Sequence, residues 1–174
     1  MKRIITISFV VTCILAASAH AAQMSVEPAY QEVFQGDNVT VNITVYPEGS
    51  SVYGASYTLY FNKTLLNATS QTQGPFLSQD GESTNVFVNE INNTLGRIEY
   101  AESRMGTLVG VNGSGVLATI TFHVIGEEGV SMLNISDLDG ELLYSTAGPI
   151  QTDINNGTCR IEEDTCQPPT STYT

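Results

Sequence analysis

Three groups of residues have types that could do chemistry: His123, the acidic run Asp137-Leu138-Asp139-Gly140-Glu141, and the pair Cys159 and Cys166. His123 sits in the polar register of an alternating apolar/polar stretch, and nothing around it signals a nucleophile with a third, orienting group. A solvent-facing strand histidine is the simpler account. Two carboxylates at the right separation can hydrolyse glycosides, but with 18 Asp and Glu in the chain some pair is always close, so that signal singles out no residue. Calcium takes about six to eight oxygens, and its loops place a third ligand before the glycine. Here Gly140 follows directly on Asp139, so the run reads as a tight turn between two strands. Cys159 and Cys166 have the wrong spacing and number for a metal or redox site. In an oxidising compartment they are expected to form a small-loop disulfide that staples the C-terminal end. No catalytic residue, metal site or cofactor is expected.

The compartment is read from the N-terminus and from the asparagines. Lys2 and Arg3, an apolar run over 4–17, and the small-x-small pattern Ala19-His20-Ala21 make residues 1–22 a secretory signal, cleaved after Ala21 or Ala22. No later stretch approaches the ~20 apolar residues of a membrane span, so no membrane insertion is expected after cleavage. Eight of the twelve asparagines lie in N-x-S/T sequons: Asn38, Asn42, Asn62, Asn67, Asn92, Asn112, Asn134 and Asn156. Chance would place about two or three there, so a heavily N-glycosylated, secreted or cell-surface protein is expected. Without the signal, four cations face 18 acids, a net charge of −14. Such a surface repels phosphate backbones and anionic lipid, which excludes nucleic-acid and membrane-surface binding.

The elements that would position any site are strands. Val39, Val41, Ile43 and Val45 alternate with Thr40, Asn42 and Thr44; Ala55, Tyr57, Leu59 and Phe61 alternate with Ser56, Thr58 and Tyr60. Ala118, Ile120, Phe122 and Val124 do the same against Leu117, Thr119, Thr121 and His123. Shorter strands are expected over 24–27, 85–91, 96–102, 130–135, 141–144 and 157–161, and a turn-like excursion over 63–68. Turn-rich breaks separate them, such as Gln35-Gly36-Asp37-Asn38 and Asn112-Gly113-Ser114-Gly115. About nine strands and no crossover helix predict an all-β, antiparallel sandwich, with a closed barrel as the alternative. One domain over 23–162 is expected, followed over 163–174 by a Pro/Thr/Ser-rich tail or start of a linker.

The ordered set Val26-Glu27-Pro28, Gln35-Gly36-Asp37, the segment 54–62 with Leu65-Leu66, the run 96–103, the Gly-rich loop and the segment 115–122 resembles a cohesin domain over roughly 24–162. The resemblance implies a nine-stranded jelly-roll sandwich, monomeric and without chemistry of its own, that docks a calcium-loaded dockerin module on a partner protein. Calcium would belong to that partner. The docking positions it implies are Ser56, Thr58 and Tyr60, then Phe87, then Arg97, Glu99 and Ala101. Cellulosomal cohesins of the first type often carry Asn and Asp where this chain has Gly54 and Ser56, and an apolar residue in place of Glu99. A non-cellulosomal dockerin is therefore expected. The rival is a polysaccharide-binding or structural surface module on the same sandwich. Sugar recognition would use exposed rings, and Tyr30, Tyr46, Tyr53 and Tyr60 are the candidates in a mature chain without Trp.

Overall fold

The computed structural model describes residues 21–136 and 142–163. The acidic run 137–141, Cys166 and the rest of 164–174, and residues 1–20 of the expected signal lie outside the described residues.

Thirteen strands are present among the described residues: β1 (Ala22–Glu27), β2 (Tyr30–Phe34), β3 (Asn38–Tyr46), β4 (Gly54–Tyr60), β5 (Leu66–Gln73), β6 (Thr84–Asn92), β7 (Arg97–Arg104), β8 (Gly115–Val124), β9 (Gly129–Ser136), β10 (Leu143–Ser145), β11 (Gly148–Ile150), β12 (Thr152–Asn155) and β13 (Gly157–Glu162). They form two sheets. One is five-stranded in the order β12-β1-β3-β8-β5; the other is eight-stranded and runs β11-β10-β4-β9-β13-β2, with β7 on the remaining edge of β4 and β6 on β7. The count exceeds nine because β2 and β5 are additional and the C-terminal stretch breaks into short pieces, β10 to β12, of three or four residues each.

The alternating stretches close the sandwich. Val39, Val41, Ile43 and Val45 of β3 turn inward toward Tyr57 and Leu59 of β4 and Ile98 and Tyr100 of β7, all in one buried cluster. Fully burying a side chain of this size contributes roughly 1.5–3 kcal/mol. Aromatic pairs reinforce the middle: Tyr57 stacks on Tyr100 with centroids 5.6 Å apart, and Phe61 meets Phe122 edge-on at 5.1 Å.

Two pairs depart from the antiparallel arrangement of the sandwich. β1 and β2 are consecutive and cross from the five-stranded to the eight-stranded sheet, and β12 and β13 make the same crossing alongside them in the same direction. The result is parallel pairing of β1 with β12 and of β2 with β13. Leu117, placed by alternation on the polar face, is fully buried. It is the extra residue of a bulge: Ile43 pairs with Ala118 and Thr44 with Val116, and two residues against one turns a side chain over. The excursion over 63–68 is a turn only to Leu65, after which β5 begins. Cys159 lies fully buried on the inner face of β13, where burial pushes its thiol pKa up.

Candidate functional site

The outward face of the eight-stranded sheet is built from β6, β7, β4 and β9. Strict pairing of β4 with β7 sets Ser56 opposite Ala101, Thr58 opposite Glu99 and Tyr60 opposite Arg97. Six of the seven positions picked from the sequence therefore form three adjacent cross-strand pairs. Their inward neighbours Tyr57, Leu59, Ile98 and Tyr100 are buried, which fixes the direction of the rows. Gly96 holds this register. It sits at φ +66 in the turn between β6 and β7, its carbonyl accepts from Phe61 N at 2.9 Å, and a Cβ there would lie 2.4 Å from the Phe61 oxygen.

The seventh position, Phe87, enters by another route. β6 pairs with β7 through Val86 opposite Glu102 and Val88 opposite Ala101, so Phe87 is the unpaired residue of a bulge and stands 65% exposed. It borders a shallow depression of ≈ 350 Å³ shared with Tyr53, Ser56, Ala101 and Tyr144. Thr58, by contrast, is only 5% exposed, hemmed by Glu99 on one side and Ser136 on the other, and forms the floor of the face.

The three rows differ in chemistry. The Tyr60–Arg97 row is polar, and Arg97 binds Glu99 at 3.0 Å with both side chains about a third exposed. A partly exposed pair of this kind contributes under ~1 kcal/mol. In the middle row Glu90 faces Glu99 directly across β6 and β7, two like charges on one surface. The Ser56–Ala101 row is of small residues, and Val88 and Phe87 beside it add apolar surface.

Inward, the face rests on a polar network that no sequence motif announced. Continuing the alternation of Ile98 and Tyr100 puts Glu102 and Arg104 inside, and both are buried. Glu102 accepts from Tyr100 Oη at 2.8 Å and from Gln73 Nε2. Tyr57 Oη donates to Gln71 Oε1 at 2.8 Å, and Gln71 Nε2 donates to Asn89 Oδ1 at 2.7 Å. Arg104, 1% exposed, donates to the Leu77 carbonyl and to both oxygens of Asp80, at 3.0 and 2.6 Å. That guanidinium holds the Asp80 carboxyl below its usual range. Burial raises the phenol pKa of Tyr57 and of Tyr100, and for Tyr100 the bond to Glu102 adds to it. The strict period of β7 was the signal that could have found Glu102 and Arg104.

Elsewhere, His123 Nδ1 lies 3.3 Å from Asn38 Oδ1 on the outer face of the five-stranded sheet. Tyr30, Tyr46, Tyr53 and Tyr60 do not share a row. Tyr46 lies in the five-stranded sheet with its hydroxyl on Glu27, Tyr30 is at the β2 edge with its hydroxyl on Glu32, Tyr53 is in the depression, and Tyr60 is in β4.

The family model described as Cohesin domain matches residues 24–161. No match was found among curated proteins. Among solved structures, a non-cellulosomal cohesin from the hyperthermophilic archaeon Archaeoglobus fulgidus is similar at 18% identity and TM-score 0.61, covering 84% of this chain and 94% of its own. The OlpC cohesin of Clostridium thermocellum, solved in complex with the dockerin Doc435, is similar at 13% identity and TM-score 0.65, covering 83% and 95%. A type II cohesin domain from the cellulosome of Acetivibrio cellulolyticus gives 13% identity and TM-score 0.62, covering 80% and 95%. The two-sheet jelly roll and the family match over nearly all the described residues lead to one conclusion: this chain belongs to the cohesin domain family.

Proposed function

We propose that the chain is an extracellular attachment module, not an enzyme, whose eight-stranded face docks a dockerin module on a partner protein, the calcium being carried by that partner. The observation that carries this reading is the flat set of three cross-strand pairs, Ser56–Ala101, Thr58–Glu99 and Tyr60–Arg97, with Phe87 exposed beside it. A rigid sheet presenting an apolar row next to a charged one suits a preformed protein interface, because little side-chain freedom is lost on contact. Solved relatives in the family are held in complexes with dockerins. The Glu90 and Glu99 carboxylates beside the apolar row favour a partner that brings an apolar anchor flanked by Lys or Arg. Sugar binding is less well supported, since the four candidate tyrosines do not line up as a stacking platform.

The test is calorimetric titration of the secreted chain with dockerin modules from the same organism, with calcium and with chelator. Saturable binding in calcium that disappears with chelator is expected. Heat-silent titrations with every such dockerin, beside a positive glycan array, would replace the reading with sugar recognition.

A further inference from the structure

Asn62, Asn112 and Asn156 lie outside the strands, and the other five sequons fall three on the five-stranded sheet and two, unevenly placed, on the eight-stranded one. Asn38, Asn42 and Asn67 lie on the outer face of the five-stranded sheet, where Asn38 and Asn67 pair with His123 from either side. On the eight-stranded sheet, Asn92 pairs with Arg97 and Asn134 with Tyr60. A single row, Asn92, Arg97, Tyr60, Asn134, thus crosses β6, β7, β4 and β9 with a sequon at each end. Asn62, two residues beyond Tyr60, is exposed at the same end. Neither the Glu90–Glu99–Thr58–Ser136 row, nor the Val88–Ala101–Ser56 row, nor the depression beside Phe87 contains one.

The amide groups separate in the same way. Three asparagines donate through Nδ2: Asn89 to the Gln71 carbonyl, Asn93 to the Ala68 carbonyl, and Asn155 to Gln23 and Ser25. None of the three is the acceptor asparagine of a sequon. The sequon asparagines Asn38, Asn42, Asn62, Asn92 and Asn156 use their side chains only as acceptors, through Oδ1. Six of the eight are exposed, Asn42 and Asn67 are partly exposed, and none is buried. Nδ2 is the atom that N-glycosylation consumes, so modification there breaks no hydrogen bond of the fold.

We propose that Asn62, Asn92 and Asn134 carry N-linked glycans that cover the Tyr60–Arg97 end of the face. A partner is then left the Ala101–Ser56–Phe87 end, a consequence that rests on the docking reading above. The donor is a lipid-phosphate-linked oligosaccharide. The Nδ2–C1 bond forms as the C1–O bond to the lipid phosphate breaks; the phosphate leaves with the electron pair and Nδ2 gives up one proton. A glycan is bulky and strongly hydrated, so it excludes a protein from the surface beneath it.

The protein isolated from its native source is digested and its glycopeptides are sequenced by mass spectrometry. Occupancy at Asn62, Asn92 and Asn134 is expected; unmodified Asn92 and Asn134 overturn the proposal. Cover is then measured without a partner, by hydroxyl-radical labelling before and after enzymatic deglycosylation. Labelling of Tyr60 should rise about threefold or more while that of Tyr53 and Tyr144 stays constant. Equal labelling of Tyr60 in both forms contradicts it. Because neither readout involves a dockerin, failure of dockerins to bind counts against the docking reading alone. Where one binds, its affinity should be unchanged by deglycosylation and lost in Phe87→Ala, whose side chain is too exposed for the fold to depend on it. An affinity that rises about tenfold or more on deglycosylation would place the contact at the covered end and overturn the division.

Discussion

The outer faces of the two sheets are made by the same rule and have different contents. On the five-stranded sheet, Thr40 faces Thr121 and Asn42 faces Thr119, a ladder of short polar side chains that hydrogen-bond to one another across β3 and β8. On the eight-stranded sheet the corresponding positions hold Ala101, Phe87, Glu99, Arg97 and Tyr60, larger and more varied groups whose polar partners are few. The first face satisfies itself and is already solvated. The second leaves an apolar strip beside the facing carboxylates Glu90 and Glu99, with Arg97 bound to Glu99, and it is backed by the buried network of Tyr57, Tyr100, Glu102 and Arg104. A sheet can thus keep its fold through inward residues while its outward residues either close off or invite contact.

The largest effect expected from breaking this contrast is on binding. Ala101→Arg should weaken dockerin binding about 100-fold or more, by filling the small-residue row with a long cation, whereas Thr40→Arg on the other face should leave the affinity unchanged in the same titration. If the two variants behave alike, the faces are not functionally distinct. Next comes stability beneath the docking face. Arg104→Ala empties the volume of a buried side chain and strips the Leu77 carbonyl of its donor, while Asp80 stays solvated, and is expected to cost about 2–5 kcal/mol in denaturant unfolding. A third expectation concerns alkaline pH. Because burial raises the Tyr57 and Tyr100 phenols above unfolded tyrosine, their contribution is complete below about pH 10, where the unfolded phenol ionises, and is lost as pH rises from there through the folded values. Unfolding free energies measured from pH 8 upward should therefore fall less steeply in Tyr100→Phe than in the parent chain. The smallest effect is on the polar ladder: Thr40→Ala should change stability by no more than about 0.5 kcal/mol, since the Thr40–Thr121 contact is exposed and 3.4 Å long.

Much of this architecture was legible in the alternating stretches, because each places a buried side chain every second residue and the core accepts only that register. The long strands β3, β4 and β8 were found for that reason. β5 was not, since Leu66, Ala68 and Gln71 are its only buried residues and the rest of Leu66–Gln73 is polar. Bulges hid two more facts. The one in β8 moved Leu117 into the core, and the one in β6 pushed Phe87 to the surface; an extra residue changes the face without changing the composition. The pairing of Tyr60 with both Arg97 and Asn134 lay beyond any local pattern, because it joins residues about 40 and 70 positions apart through strand order alone.

The central claim, that one sheet face does the docking, is tested most directly by titrating an isotope-labelled sample of the chain with a binding dockerin and following backbone amide resonances. The account predicts that the signals of Ser56, Phe87, Glu99 and Ala101 shift while those of Thr40, Asn67 and Thr121 stay in place. Shifts confined to the latter three would contradict it.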